Sequence, residues 1–121
     1  MSKPRLSKRQ IMASREYFIK GTEPLQRITV RIGFPRRLAG KTDYICPVEM
    51  IGWGARSYRP VRSADAFGAL QLALFLIGTE LKYLDEKSDG GLRWADGGRS
   101  DIGFPAYPDY SLKPVIDGDP G

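Results

Sequence analysis

The sequence predicts an α+β domain: a four-stranded, mainly antiparallel sheet packed on one long helix, with a short C-terminal hairpin and an extended tail. Three observations predict it. Residues 26–34 alternate strictly between apolar and polar side chains, the period of a half-buried strand. Residues 64–86 carry apolar side chains at helical spacing over about six turns. Gly and Pro clusters cut most of the rest into short β-rich runs. A chain of 121 residues is one domain's worth, long enough to bury a core without disulfides or a metal.

Taken in order, residues 1–13 read as a basic arm carrying Lys3, Arg5, Lys8 and Arg9 with no acid. Ile11-Met12-Ala13 is too short to serve as the apolar region of a secretory signal. The folded domain is expected over residues 14–105. Its first strand, Arg15–Lys20, is closed by the turn residues Gly21-Thr22-Glu23-Pro24. The second, Gln26–Phe34, puts Ile28, Val30, Ile32 and Phe34 on one face and Arg27, Thr29, Arg31 and Gly33 on the other. Pro35–Thr42 reads as a basic loop containing Arg36, Arg37 and Lys41. Asp43–Ile51 is a third strand, with Cys46, Val48 and Met50 sharing a face. Pro47 inside it donates no ladder hydrogen bond, which predicts an edge or a bulge. After Gly52-Trp53-Gly54, residues Ala55–Arg62 form a fourth strand, limited by Pro60 in the same way.

Ser63 is placed to cap a helix from about Ala64 to Glu86, which stops before Gly90-Gly91. Its core face is expected to hold Ala66, Phe67, Leu70, Ala73, Leu74, Ile77, Leu81 and Leu84. Gly68 and Gly78 each cost about 1 kcal/mol against alanine in such a helix. A second stripe, Ala69, Leu72, Leu76 and Tyr83, lies about 130° away. One sheet cannot cover both stripes, so the helix needs another partner: its own Trp94, Phe104 and Tyr/Pro tail, or a second molecule. Leu92–Ala95 and Ile102–Phe104 flank Asp96-Gly97-Gly98-Arg99 as a hairpin would. Residues 106–121, rich in Pro and Tyr, are expected to be extended.

The net charge of +5 is unevenly spread, with basic residues in the first half and acidic ones after residue 63. No histidine is present, which removes the Ser-His-Asp and Cys-His devices and the commonest general base. A single cysteine excludes an internal disulfide and fits a reducing, cytoplasmic location. Cys46 itself reads as a small core filler. Asp89, Asp96 and Asp101 do not match a calcium loop, and Gly52-x-Gly54 is only a fragment of a dinucleotide fingerprint. No metal or cofactor is expected from these spacings, and no membrane span, because Asp65 and Gln71 break the longest apolar stretch.

Three stretches resemble a small, uncharacterised bacterial family, a domain of unknown function. They are Tyr44-Ile45-Cys46-Pro47-Val48 with Ile51-Gly52, then Ala64-Asp65-Ala66-Phe67 leading into Ala69-Leu70 and Leu74, then Trp94 followed by Ile102-Gly103-Phe104-Pro105. Where the resemblance calls for Gln ahead of Ala69-Leu70, this chain has Gly68. The resemblance implies a compact α+β domain and no assigned activity.

What remains is binding. The first reading is a non-enzymatic protein-binding module, adaptor-like or immunity- or antitoxin-like. It engages a protein partner or a second copy through Leu72, Leu76 and Tyr83, with Arg27, Arg31 and Arg59 steering an acidic partner. Arg56 and Arg62 are placed beside these arginines, and the competing expectation is that Glu16, Glu49 or Asp43 neutralises them. The second reading is RNA or single-stranded DNA binding through Lys3, Arg5, Lys8, Arg9, Arg27, Arg31, Arg36 and Arg37. The third is a carboxylate-dependent enzyme using Asp96 or Asp101.

Overall fold

The computed structural model describes residues 6–53 and 55–105. It is α+β, with one long helix and an open antiparallel sheet. The chain runs through a single 3-10 turn (Lys8–Gln10), β1 (Ile11–Ile19), β2 (Gln26–Gly33), β3 (Arg36–Arg37), β4 (Tyr44–Gly52), β5 (Ala55–Ser63), α1 (Ala66–Lys87) and β6 (Leu92–Trp94). The sheet therefore has six strands, not four, ordered β3-β4-β2-β1-β6 with β5 on β4. Both additional strands are too short to show a period. Arg36 and Arg37 in the basic loop pair with Ile45 and Tyr44.

The expected C-terminal hairpin does not form. β6 instead joins the free edge of β1, with Tyr17 opposite Trp94 and Ile19 opposite Leu92. Only one backbone bond of a hairpin survives beyond the turn, from Trp94 N–H to the Arg99 carbonyl. Residues 102–104 then run over α1 rather than back along β6. Tyr17 donates its phenol proton to the Ile102 carbonyl at 2.5 Å, and Trp94 Nε1 donates to the Asp101 carbonyl at 2.6 Å. The Arg15 guanidinium lies between the rings of Trp94 and Phe104, 3.8 and 4.8 Å from their centroids.

The core lies between one face of the sheet and α1. Ile28, Val30 and Ile32 of β2 meet Cys46, Val48 and Met50 of β4, Tyr17 and Ile19 of β1, and Ala69, Ala73, Ile77 and Leu81 of α1. The predicted helix face is thus rotated. Ala69, assigned to the outer stripe, is fully buried, whereas Phe67, assigned to the core, is 79% exposed. Small Ala69 and Ala73 let the helix backbone come close to the sheet. That sets the buried line, and Phe67 falls about 100° from its centre at 3.6 residues per turn. Phe34 likewise leaves the core, because β2 ends at Gly33, and a Cβ there would lie 2.6 Å from Pro47 Cγ. Asp65, not Ser63, caps the helix, accepting from Gly68 N–H at 2.6 Å. Both helix glycines mark contacts: a Cβ on Gly68 would meet Ser63 Oγ, and one on Gly78 would overlap the Pro105 carbonyl.

Pro47 sits in a central strand, against expectation. Its partner across β5 is Pro60, and two facing prolines fit only a pair in which neither residue donates to the other. On its other side, pairing with β2 ends at Val48 and pairing with β3 involves Ile45 and Tyr44, so Pro47 faces the gap. β5 pairs with β4 alone and forms an edge of the sheet.

Of the arm expected over residues 1–13, the described part is folded: Leu6 is buried, and Ile11, Met12 and Ala13 belong to β1. Residues 1–5 and 106–121, with the expected tail, lie outside the described residues. By length and composition α1 could cross a membrane, contrary to the estimate from Asp65 and Gln71; one side of it packs on the sheet.

Gly78→Ala should lower stability by about 1–3 kcal/mol, because the Pro105 carbonyl must move off the helix. A lower denaturant midpoint with an unchanged slope would show it. Tyr17→Phe, which keeps the packing and loses the bond to Ile102, should cost about 1 kcal/mol in the same assay.

Candidate functional site

The outer stripe of α1 contracts to three apolar residues. Leu72 is 48% and Tyr83 58% exposed, while Leu76 is partly buried against the core. Eleven residues separate the two ends, a rise of about 16 Å. At one end, Leu72 borders a groove with Ser63, Gly68, Gln71, Phe75 and Pro105. At the other, Tyr83 borders a cleft with Trp53, Arg59, Glu80 and Lys87, where the Lys87 ammonium stands 4.9 Å from the Trp53 centroid.

The cover expected from Trp94 and Phe104 is on the wrong side of the helix. Phe104 lies against Gly78, and Trp94 stacks edge-on against Tyr17 at 6.1 Å. Neither hides Leu72 or Tyr83; the third expected cover, the Tyr/Pro tail, lies outside the described residues.

The predicted arginine set divides between the two faces of the sheet. Register places Arg27, Arg31, Arg56 and Arg62 on the face away from α1, and Arg59 on the helix side. There Arg59 pairs with Glu80 at 3.6 Å, next to Tyr83. Arg31 and Arg56 converge on the two oxygens of Glu49 at 3.4 and 3.0 Å, and Glu49 is 0% exposed. Arg62 pairs with Asp43 at 2.7 Å. The Arg59 placement corrects the expectation of one five-arginine face. The pairs on Glu49 and Asp43 are those the competing expectation named. Arg27 has no acidic partner among the described residues.

A different basic cluster gathers at the far corner of that face. Arg9 on the 3-10 turn and Arg36 on β3 line one cleft with Leu6, Gln10, Phe34, Pro47 and Tyr58. The Phe34 N–H donates to the Gln10 carbonyl at 3.3 Å and ties the two walls together. Arg37, the next residue of β3, turns instead to the helix side of the sheet and sits beside Tyr44, 5.7 Å from its centroid, while Lys8 is exposed on the turn. Lys3 and Arg5 lie outside the described residues. Sequence analysis missed Phe34 and Tyr58 as members of this cluster. The available signal was Gly33-Phe34-Pro35, which ends the alternation one residue early.

The acidic loop offers no reactive pair. Asp101 takes a bidentate contact from Arg99 at 2.9 Å, and no group of His, Cys, Asp or Glu among the described residues could hold a metal ion. Cys46 is buried, with Sγ directed at the Gly33 carbonyl at 3.4 Å, and burial pushes its thiol up to about 11. Burial also raises the Tyr17 phenol, partly opposed by Arg15.

A family model described as "Domain of unknown function (DUF6968)" matches residues 13–106. No curated protein and no solved structure matches the chain.

Cys46 should resist a thiol reagent in the native protein at pH 8 and react fully in denaturant. The folded state holds the thiol proton more tightly than the unfolded chain does. This contribution to stability is therefore complete below the ordinary value near 9 and is lost as pH rises to about 11; denaturant midpoints across that range check it. Glu49→Gln should cost about 1–3 kcal/mol, since it leaves Arg31 and Arg56 facing each other over a buried neutral amide. Asp43→Asn, at an exposed pair, should cost less than about 1 kcal/mol.

Proposed function

The chain belongs to this family of domains of unknown function, whose description assigns no activity, and we propose that it acts as a non-enzymatic protein-binding module. The observation that carries the reading is the exposure of Leu72 and Tyr83 on a helix whose opposite side is closely packed. Leu72, Leu76, Thr79 and Tyr83 recur at spacings of four, three and four, the seam by which one helix receives another. The partner fitted to such a seam is an amphipathic helix of a second protein. Burying an exposed Leu or Tyr contributes about 1.5–3 kcal/mol each, enough for a short seam to be specific when its rim is also matched. Arg59, Glu80 and Lys87 form that rim around Tyr83. Of the three arginines first assigned to steering, Arg59 alone shares the side of the sheet with the seam. A lone buried Cys46 suits a reducing cytoplasm, where this reading places the protein. The role is that of an adaptor or of a small protein that occludes its partner's working surface.

The test is retention of proteins on the immobilised full chain from nuclease-treated extract, beside Leu72→Asp and Tyr83→Ser. Both sites are exposed, so melting temperatures should shift little. The reading expects a protein retained by the natural chain and reduced at least about tenfold by either change, a loss of about 1.4 kcal/mol or more. Sedimentation of the purified chain identifies a second copy as the partner if Leu72→Asp converts a dimer to a monomer. Retention unaffected by both substitutions overturns the reading.

A further inference from the structure

We infer that the cleft on the far face of the sheet is a binding site for single-stranded nucleic acid: Arg9 and Arg36 take a phosphate, and a base stacks on Phe34. The inference is independent of the helix seam, which lies on the other side of the sheet.

The cleft, of about 190 Å³, has Pro47 and Leu6 as its buried floor. The Lys8–Gln10 turn supplies one wall, Phe34 and Arg36 supply another, and Tyr58 of β5 closes it. Its charge is what singles it out. Most described arginines are engaged. Arg31 and Arg56 hold Glu49, Arg59 holds Glu80, Arg62 holds Asp43 and Arg99 holds Asp101. Arg15 and Arg37 lie on aromatic rings, and Arg93 donates to the carbonyls of Gly90 and Leu92. That leaves Arg9, Arg27 and Arg36 without such a partner among the described residues, and two of the three line this one small cleft. No carboxylate lines it. The two acids nearest along β4, Asp43 and Glu49, are already claimed. Two cationic residues lining one small cleft with no carboxylate in its walls repel each other, and an anion between them removes that cost.

Phe34 decides which anion. It is 53% exposed, held at the cleft by its bond to Gln10, and offers a ring face beside two phosphate-binding forks. That combination is how single strands are held without base pairing: rings take bases and arginines take phosphates. Guanidinium forks match phosphate oxygens in a bidentate manner. Exposed Lys8, next in sequence to Arg9, extends the positive charge beyond one phosphate, which favours a strand over a free nucleotide.

The experiment is fluorescence anisotropy of a labelled single-stranded oligonucleotide with the full chain, repeated with the matching duplex and with a free mononucleotide as competitor. One phosphate held by Arg9 and Arg36 and a second by Lys8 predict about fivefold weaker binding between ~50 and ~150 mM salt. Arg9→Gln and Arg36→Gln together should reduce the log–log salt slope by about 0.7. Phe34→Ala should weaken binding about tenfold with the slope unchanged, whereas Arg99→Gln should do neither. All these sites are exposed, and melting curves verify that the variants fold. Competition by mononucleotide at the same three residues, without tighter strand binding, makes the free nucleotide the ligand and overturns the single-strand assignment. Equal affinity for duplex and single strand, variants that bind as the natural chain does, or no binding at low salt overturns the inference.

Discussion

The close approach of α1 to the sheet governs the rest of this structure. Ala69 and Ala73 bring the helix backbone down onto β4 and β5, and Gly78 leaves room for the Pro105 carbonyl on its other flank. A larger residue at any of these positions would lift or tilt the helix. The helix is also the connection that carries the chain from the β5 edge back to the β1 edge, where β6 adds its short strand. The clamp built from Tyr17, Trp94 and Arg15 then holds residues 102–105 in place. One side of α1 is used up by the sheet and one flank by this return, and among the described residues its outer side carries Leu72 and Tyr83.

The opposite face of the sheet follows a different rule. Its centre is organised by Glu49, a carboxylate withdrawn from solvent and held between Arg31 and Arg56. This is an internal neutralisation, so the middle of an arginine-rich face presents less charge than the sequence suggests. Two of the three arginines left without a partner among the described residues, Arg9 and Arg36, meet at the corner between the 3-10 turn and β3, and the third, Arg27, stands at the other end of β2. The two faces therefore offer different chemistry: apolar side chains with a mixed-charge rim on one, a small basic and aromatic cleft on the other.

Much of this was legible in the chain. Strict alternation in residues 26–34 located β2, and helical spacing located α1 to within two residues of its ends. Legibility failed where the deciding contact is far away in sequence. Ala69 looked like an outer residue because apolar size was weighed, whereas the helix needed smallness at its nearest approach. Phe34 continued the alternation but not the strand, since Pro47 and Leu6 occupy the space beside Gly33. Arg59 was grouped with Arg27 and Arg31 because nothing local reveals the register of β5 on β4. β6 was taken for half of a hairpin, because local turn chemistry cannot show that β1 has an unfilled edge. The seam residues Leu72 and Tyr83 were identifiable from the helical wheel alone; the cleft was not, since it joins residues 6, 9, 36 and 58.

The facing prolines of β4 and β5 bear on how copies of this chain meet. β5 is a nine-residue edge strand, the kind of border that lets sheets grow from molecule to molecule into fibrils. Pro60 offers no N–H, and its geometry opposite Pro47 turns that missing donor toward the open border. An incoming strand would find a gap in its ladder there, flanked by the cationic side chains of Arg59 and Arg62. The residue that looked like an interruption of the fold is thereby a break in the very ladder along which a neighbouring strand would have to pair.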